Sequence, residues 1–206
     1  MTLKDILLRE GRNTVLIQVA GKSAAGQGMD LGFLGFGLTP ASRKFITEWN
    51  LIGPFDAPDM DSLYTVYPPE KVIALDKRYP GKGNQEIAWR KIQAEPSGYV
   101  RLTELIKPNE QVVVYAFGNI FSPEPVETHL LLGSDDGVRV WINDELVHSN
   151  PAYRGAYPDQ DIVKVSLRKG WNKVLVKVLQ GAGGWGYYVR FVDPDGKLKW
   201  SSTPQK

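Results

Sequence analysis

The sequence predicts an all-β fold, a two-sheet jelly-roll β-sandwich, and three observations carry that prediction. Gly, Pro, Asn and Asp recur along all 206 residues, and the runs between them are short and either aliphatic or alternating, which is the spacing of strands and turns. From Trp89 onward these runs come regularly enough to supply eight or nine strands, a number that suits two packed sheets. The pattern Gly-x-Asn-x-Val-Leu-aliphatic-x-Val also occurs twice, at residues 11–19 and 170–178.

The second copy closes a long series of strands, whereas little precedes the first. If both are the same late strand of a sandwich, residues 1–40 are the C-terminal hairpin of a truncated preceding β-sandwich, and residues 45–206 are a whole one. In the remnant, strands are expected at 12–19 and 29–38, joined by the Gly- and Ser-containing stretch 21–28. Pro40 marks the boundary, since proline cannot donate to a sheet ladder.

Residues 45–55 open the full domain with alternating buried and exposed positions and are expected to stop at Gly53-Pro54. Residues 56–85, rich in Pro and Asp, are expected to form a long surface excursion. Strands follow at 88–92, 111–117, 128–132, 138–142, 146–148, 162–167, 174–179 and 187–192. Helix is confined to a turn or two at 2–8 and 101–106. The period of two places Val138, Val140 and Ile142 on the core face, opposite Arg139, Trp141 and Asn143. It likewise turns Val174, Val176 and Val178 inward and leaves Lys173, Leu175 and Lys177 on the other face, where lysines at a sheet edge would discourage unwanted pairing.

Composition narrows the function classes. A formal charge of +2, with basic and acidic residues interspersed, argues against nucleic acid as a partner. No run approaches the roughly 20 apolar residues of a membrane-spanning helix. The absence of cysteine excludes disulfides, thiolate zinc sites and a cysteine nucleophile. Residues 1–10 carry no apolar stretch followed by a small-residue cleavage site, so no signal peptide is expected within this chain. The two histidines, His129 and His148, have no metal-ligand spacing and are expected to be ordinary strand residues. No nucleophile elbow, P-loop or dinucleotide fingerprint is present.

Three resemblances bear on function. The segments 139–147 and 164–178, a strand with a tight turn at Asn143-Asp144 followed by Leu167-Arg168-Lys169-Gly170-Trp171-Asn172, resemble the sugar-binding jelly-roll domain of family 2 glycoside hydrolases and galactose-binding-like modules. In those domains the turn is Asn-Gly; here Asp144 replaces Gly, which predicts another turn type. The segment Gly133-Ser134-Asp135-Asp136-Gly137 is similar to the turn of protective-antigen and flocculin domains, in some of which adjacent aspartates hold calcium. Finally, the order of the N-terminal hairpin, Trp49 to Phe55, Tyr67-Pro68-Pro69-Glu70, Ser134 to Gly137 and Gly183-Gly184-Trp185-Gly186 resembles the C-terminal region of large bacterial proteins in glycoside hydrolase family 172, which act on fructofuranosides and related glycans. In that family the catalytic domain lies upstream, so the resemblance implies an accessory piece of an exported bacterial parent.

The candidate site residues follow. Asp135 and Asp136 offer hard oxygens to calcium, at distances of about 2.3–2.6 Å, or simply accept backbone N–H groups in a turn. Trp185, with Tyr187 beside it, sits in a glycine-rich loop and either stands outward to stack on a sugar ring or folds back to cap the sandwich. Tyr153, Arg154, Tyr157 and Asp159 form a polar-aromatic loop suited to hydroxyl recognition. A glycosidase needs two carboxylates about 5 Å or 6.5–9.5 Å apart, a relation sequence does not display. The sequence therefore supports a non-catalytic carbohydrate-binding or accessory module that meets an oligosaccharide or polysaccharide beside a neighbouring catalytic domain. The alternatives are part of a glycoside hydrolase completed by other residues, and a protein-interaction module.

Overall fold

The computed structural model describes residues 44–193 and 195–203, all within the unit Arg43–Lys206. The expectations for residues 1–40, including both strands of the hairpin and the first Gly-x-Asn copy, lie outside the described residues.

Among the described residues the fold is an all-β sandwich. Its larger sheet runs in the spatial order β4 (Arg90–Gln93), β1 (Glu48–Asp56), β6 (Val112–Ser122), β11 (Gly170–Gln180), β8 (Val138–Ile142) and β9 (Glu145–Asn150), with β13 (Lys199–Ser201) also paired to β6. The smaller runs β10 (Asp161–Leu167), β7 (Val126–Asp135), β12 (Gly186–Phe191) and β5 (Val100–Arg101), and a separate hairpin joins β2 (Arg78–Pro80) to β3 (Glu86–Ala88). Two one-turn helices, α1 (Pro68–Lys71) and α2 (Leu102–Leu105), complete the set used below.

The inward valines lie where the period of two puts them. Val138, Val140, Ile142, Val174, Val176 and Val178 are buried in the core between the sheets, together with Trp49, Leu130, Leu132 and Val189. The β8–β9 turn has positive φ at both Asn143 (51°) and Asp144 (70°), the pair a type I′ turn requires. The expectation of another turn type is corrected: Asp144 adopts the left-handed region in place of glycine. The Gly-x-Asn pattern also acquires a physical content. Gly170 supplies a φ of 92°, and the buried Asn172 amide donates to Arg168 O (2.8 Å) and Gly170 O (3.1 Å). Its Oδ1 accepts from the Arg168 N–H and from Asn143 Nδ2, each at 2.8 Å.

Three expectations change. The strand expected to stop at Gly53-Pro54 continues to Asp56 through a register shift between Ile52 and Phe55, a bulge that lets proline sit in a sheet without donating. The strand expected at 88–92 is broken at Trp89, because β3 pairs with β2 while β4 pairs with β1. Most consequentially, residues 56–85 are not a surface excursion. They lie against the outer face of the larger sheet, where Ile52, Phe55, Val113, Tyr115, Phe117, Leu175 and Leu179 meet Leu63 and Ile87 in a second core.

The lysines were expected at an edge, and this too is corrected. Strand β11 lies between β6 and β8, and Lys177 is fully buried under the outer layer. Its Nζ donates to Leu63 O (2.8 Å), Thr65 O (2.6 Å) and Glu70 Oε1 (3.0 Å). It also sits 4.7 Å from the Tyr67 ring centre and 5.6 Å from that of Tyr115, within range for cation–π attraction. The Tyr115 hydroxyl donates to the same Glu70 oxygen. Burial pushes the Lys177 ammonium down to about 8, against the opposing pull of Glu70.

This arrangement makes the pair strongly coupled. Glu70→Ala or Lys177→Ala leaves one buried charge uncompensated and should cost about 3–5 kcal/mol in urea unfolding. Glu70→Leu combined with Lys177→Met should cost far less than the two single losses together; full additivity would show that the two do not act as a pair. Between about 8 and the ordinary lysine range near about 10, the unfolded chain holds a proton that the folded chain has shed. Stability should therefore rise with pH in that window, and Lys177→Met should abolish the rise.

Candidate functional site

Several loops converge at one end of the sandwich, where β7, β9 and β11 end and β8, β10 and β12 begin. Asp136 ties three of them together. Its Oδ1 accepts the Arg154 N–H (3.3 Å), its Oδ2 accepts the Gly181 N–H (2.9 Å), and its own N–H donates to Leu179 O (3.0 Å). The Ser134 hydroxyl donates to its carbonyl oxygen at 2.7 Å.

Arg154 is the strut of the β9–β10 loop. Its guanidinium donates to Asp161 Oδ1 (2.9 Å) and Oδ2 (2.5 Å), to Ser134 O (3.2 Å) and to Ser134 Oγ (3.0 Å). Asn150 Nδ2 and His148 Nε2 also approach the Asp161 carboxylate, each at 3.1 Å. Burial alone would raise the Asp161 pKa, but the hydrogen bonds from His148 and Arg154 outweigh it and hold the carboxyl well below the usual carboxylate range. The loop backbone is further fixed by close approach: a Cβ on Gly133 would fall on the Tyr157 carbonyl oxygen. Gln160 seals the same contact, donating to Gly155 O (2.8 Å) and accepting the Ser134 N–H (3.2 Å).

Against this frame the expected site residues divide. Tyr153 and Tyr157 are each 68% exposed, and the Tyr153 ring lies above Gly181, where a Cβ would meet it at 3.4 Å. Arg154 and Asp159 lie on the same loop, but their side chains serve the scaffold: Asp159 makes a two-pronged pair with Arg190, 2.7 Å in each prong. Trp185 and Tyr187 require correction. Both are fully buried in the inter-sheet core, and Tyr187 packs edge-on against Trp49 at 5.6 Å, so neither presents a face to a sugar ring. The signal was present in the sequence, since Trp185, immediately before β12, shares its phase with Tyr187, Val189 and Phe191 within it.

The aspartate pair sits in a tight, hydrogen-bonded turn. Each Asp136 oxygen accepts one backbone N–H, and no group of three His, Cys, Asp or Glu side chains suited to a metal occurs among the described residues. Asp135 is left facing Gly184, where a Cβ would lie 2.8 Å from its Oδ2. Burial, reinforced by the neighbouring Asp136 charge, pushes its pKa up to about 6. Tyr99 stands close enough for the Asp135 charge to raise its phenol, an effect second to burial. Tyr99, Ser134, Asp161 and Gln160 were not legible as site residues, because their contacts join separate strands and loops that periodicity does not bring together, as when Ser134 meets Arg154 and Gln160.

No protein-family profile matches the chain, and no curated protein sequence does. Solved structures similar to it include a β-glucosidase from Kluyveromyces marxianus in complex with glucose, at a TM-score of 0.45 and 16% identity over 72% of this chain and 17% of that one. A GH31 α-xylosidase from Xanthomonas citri matches with a TM-score of 0.40 and 19% identity over 77% of this chain and 17% of the enzyme. An anti-sigma factor domain-containing protein from Clostridium clariflavum matches at 0.40 and 15% over 75% and 44%. The chain thus spans under a fifth of either glycosidase and under half of the third protein.

The raised Asp135 carboxyl has a measurable consequence. The folded chain binds this proton more tightly than the unfolded one, so stability falls as pH rises from the ordinary carboxylate range near about 4 through about 6. Asp135→Asn should raise Tm at pH 7 and lose that advantage below about pH 4. A Tm difference that stays constant across this window would show that the carboxyl is not held in a desolvated setting.

Proposed function

We propose that this sandwich is a non-catalytic carbohydrate-binding module of a larger glycan-active protein, with Tyr153 and Tyr157 as its sugar-contacting rings. The observation that carries the reading is the exposure of these two tyrosines on a loop whose backbone is immobilised by Arg154, Gly133 and Gln160. Aromatic rings left in water at a fixed position bring large contact area at small entropic cost, and the apolar face of a sugar ring is their natural complement. Asp135, beside the same loops, supplies a carboxyl able to donate below pH 6 and accept above it. The resemblance to the C-terminal region of glycoside hydrolase family 172 supports an accessory place beside a catalytic domain, and the module's polymer would then be a substrate of that domain.

The test is a glycan array followed by calorimetry on the glycan that scores. Tyr153→Ala and Tyr157→Ala should each weaken binding by about tenfold, or about 1.4 kcal/mol, with Tm unchanged because neither ring is buried. Wild type that binds no glycan, or variants that bind as wild type does, would overturn the reading. The proposal also makes residues 45–206 the unit that folds and binds: deleting 1–40 should leave one cooperative thermal transition and the same affinity. Loss of the transition would place those residues in the same core.

A further inference from the structure

A cavity lies away from the tyrosine loop, at the seam between the outer layer and the larger sheet. Its floor is the half-buried Trp141 of β8 and Leu175, its register neighbour on β11. Pro69 and Ile73 of the outer layer form one wall. The polar boundary is Glu70 on one side and the Asp144–Lys173 pair, at 2.5 Å, on the other. The cavity volume is about 200 Å³, below the roughly 300–1,000 Å³ of sites for drug-sized ligands, so it accommodates one ring rather than a chain of them.

We infer that this cavity is a saccharide subsite for a single neutral sugar residue, separate from the tyrosine loop. Its chemistry discriminates among guests. Glu70 is neutralised by Lys177 and Asp144 by Lys173, so the walls carry two compensated ion pairs and favour neither an anion nor a cation. A wholly apolar guest would strip water from Asp144 and Lys173 without replacing their hydrogen bonds, which is costly. A sugar ring meets both demands, with one C–H face on the indole and hydroxyls toward the charged rim. Glu70 is suited to the second role: its Oε1 receives both Lys177 and Tyr115, while Oε2 has no hydrogen-bond partner among the described residues. Arg139, which is not part of the cavity wall, holds the indole in place with its guanidinium carbon 5.2 Å from the ring centre and is itself stacked on Tyr64 at 5.5 Å. The indole is thus fixed before any guest arrives, which lowers the entropic cost of binding.

The experiment uses the full chain and a panel of methyl glycosides, including pyranosides and a fructofuranoside, at up to tens of millimolar. The readout is the indole N–H cross peak of Trp141, assigned by its loss in Trp141→Phe among the six tryptophans. At least one methyl glycoside should shift that peak saturably, and the shift should persist in a Tyr153→Ala, Tyr157→Ala double variant, which separates this site from the loop site. Asp144→Asn should weaken the titration by threefold or more, and Trp141→Ala should remove saturation transfer to the glycoside in the double-tyrosine background. If Trp141→Ala loses its cooperative transition, the Asp144→Asn titration decides alone. A Trp141 peak that no methyl glycoside moves, a shift that vanishes with the tyrosines, or an Asp144→Asn titration equal to wild type would overturn the inference.

Discussion

A sheet that is apolar on both faces has to be covered twice, and that constraint organises this molecule. The core strand β6 presents Val112, Val114 and Ala116 to one side and Val113, Tyr115 and Phe117 to the other, all buried. The smaller sheet covers the first side; among the described residues, the segment between β1 and β4 covers the second. That segment has little regular structure of its own, so something must fix where it lies. Lys177 does so by collecting acceptors from Leu63, Thr65 and Glu70, three points on a non-repetitive chain. Apolar residues at both 177 and 70 would avoid the desolvation of a buried ion pair, and replacing both partners of such a pair is often neutral or stabilising. What the charge adds is directional: grease accepts many placements of the covering segment, whereas three converging oxygens accept one.

The same economy of means governs the loop end. Asp161 does not face solvent as a binding group; it orders Arg154, which in turn reaches Ser134 and the neighbourhood of Asp136. Charge-assisted contacts of this kind are strong when several share one carboxylate and little water competes. The result is a loop of ten residues between two strands that is held from beneath, leaving its tyrosine rings outward. Rigidity below and exposure above are the two properties a stacking surface needs, and the first is supplied by residues that lie beneath the exposed rings.

The sequence displayed what depends on local phase and turn chemistry. The bounds of β8 and the inward set Val138, Val140 and Ile142 follow from alternation alone, and Gly170 with Asn172 form a turn whose partners are all within a few residues or one strand away. It did not display what depends on distant partners. Nothing local to Lys177 announces Glu70 over a hundred residues earlier, and nothing beside Arg154 announces Ser134. Two misreadings had usable signals. The unbroken apolar run 112–117 was evidence of a strand covered on both faces, which requires an outer layer. Trp185 shared its phase with the core residues of β12, and that periodicity was a better guide than the glycines around it.

Double coverage also dictates where a ligand can be met. Among the described residues both faces of the larger sheet are covered, so the proposed saccharide contacts fall at loop ends and at places where a cover stops short. The cavity is such a place: Pro69, Glu70 and Ile73 of the outer layer border it, with Trp141 of β8 and Leu175 of β11 at its floor. Asp144, placed by the positive φ of the turn, then comes opposite Lys173 at the rim. A glycine at position 144, the residue usual in such turns, would have left the lysine without its partner and the margin with a net positive charge. The departure from the usual turn residue and the neutral character of the cavity are therefore one feature: the carboxylate that strains the turn slightly is also the group that makes the seam suited to an uncharged ring.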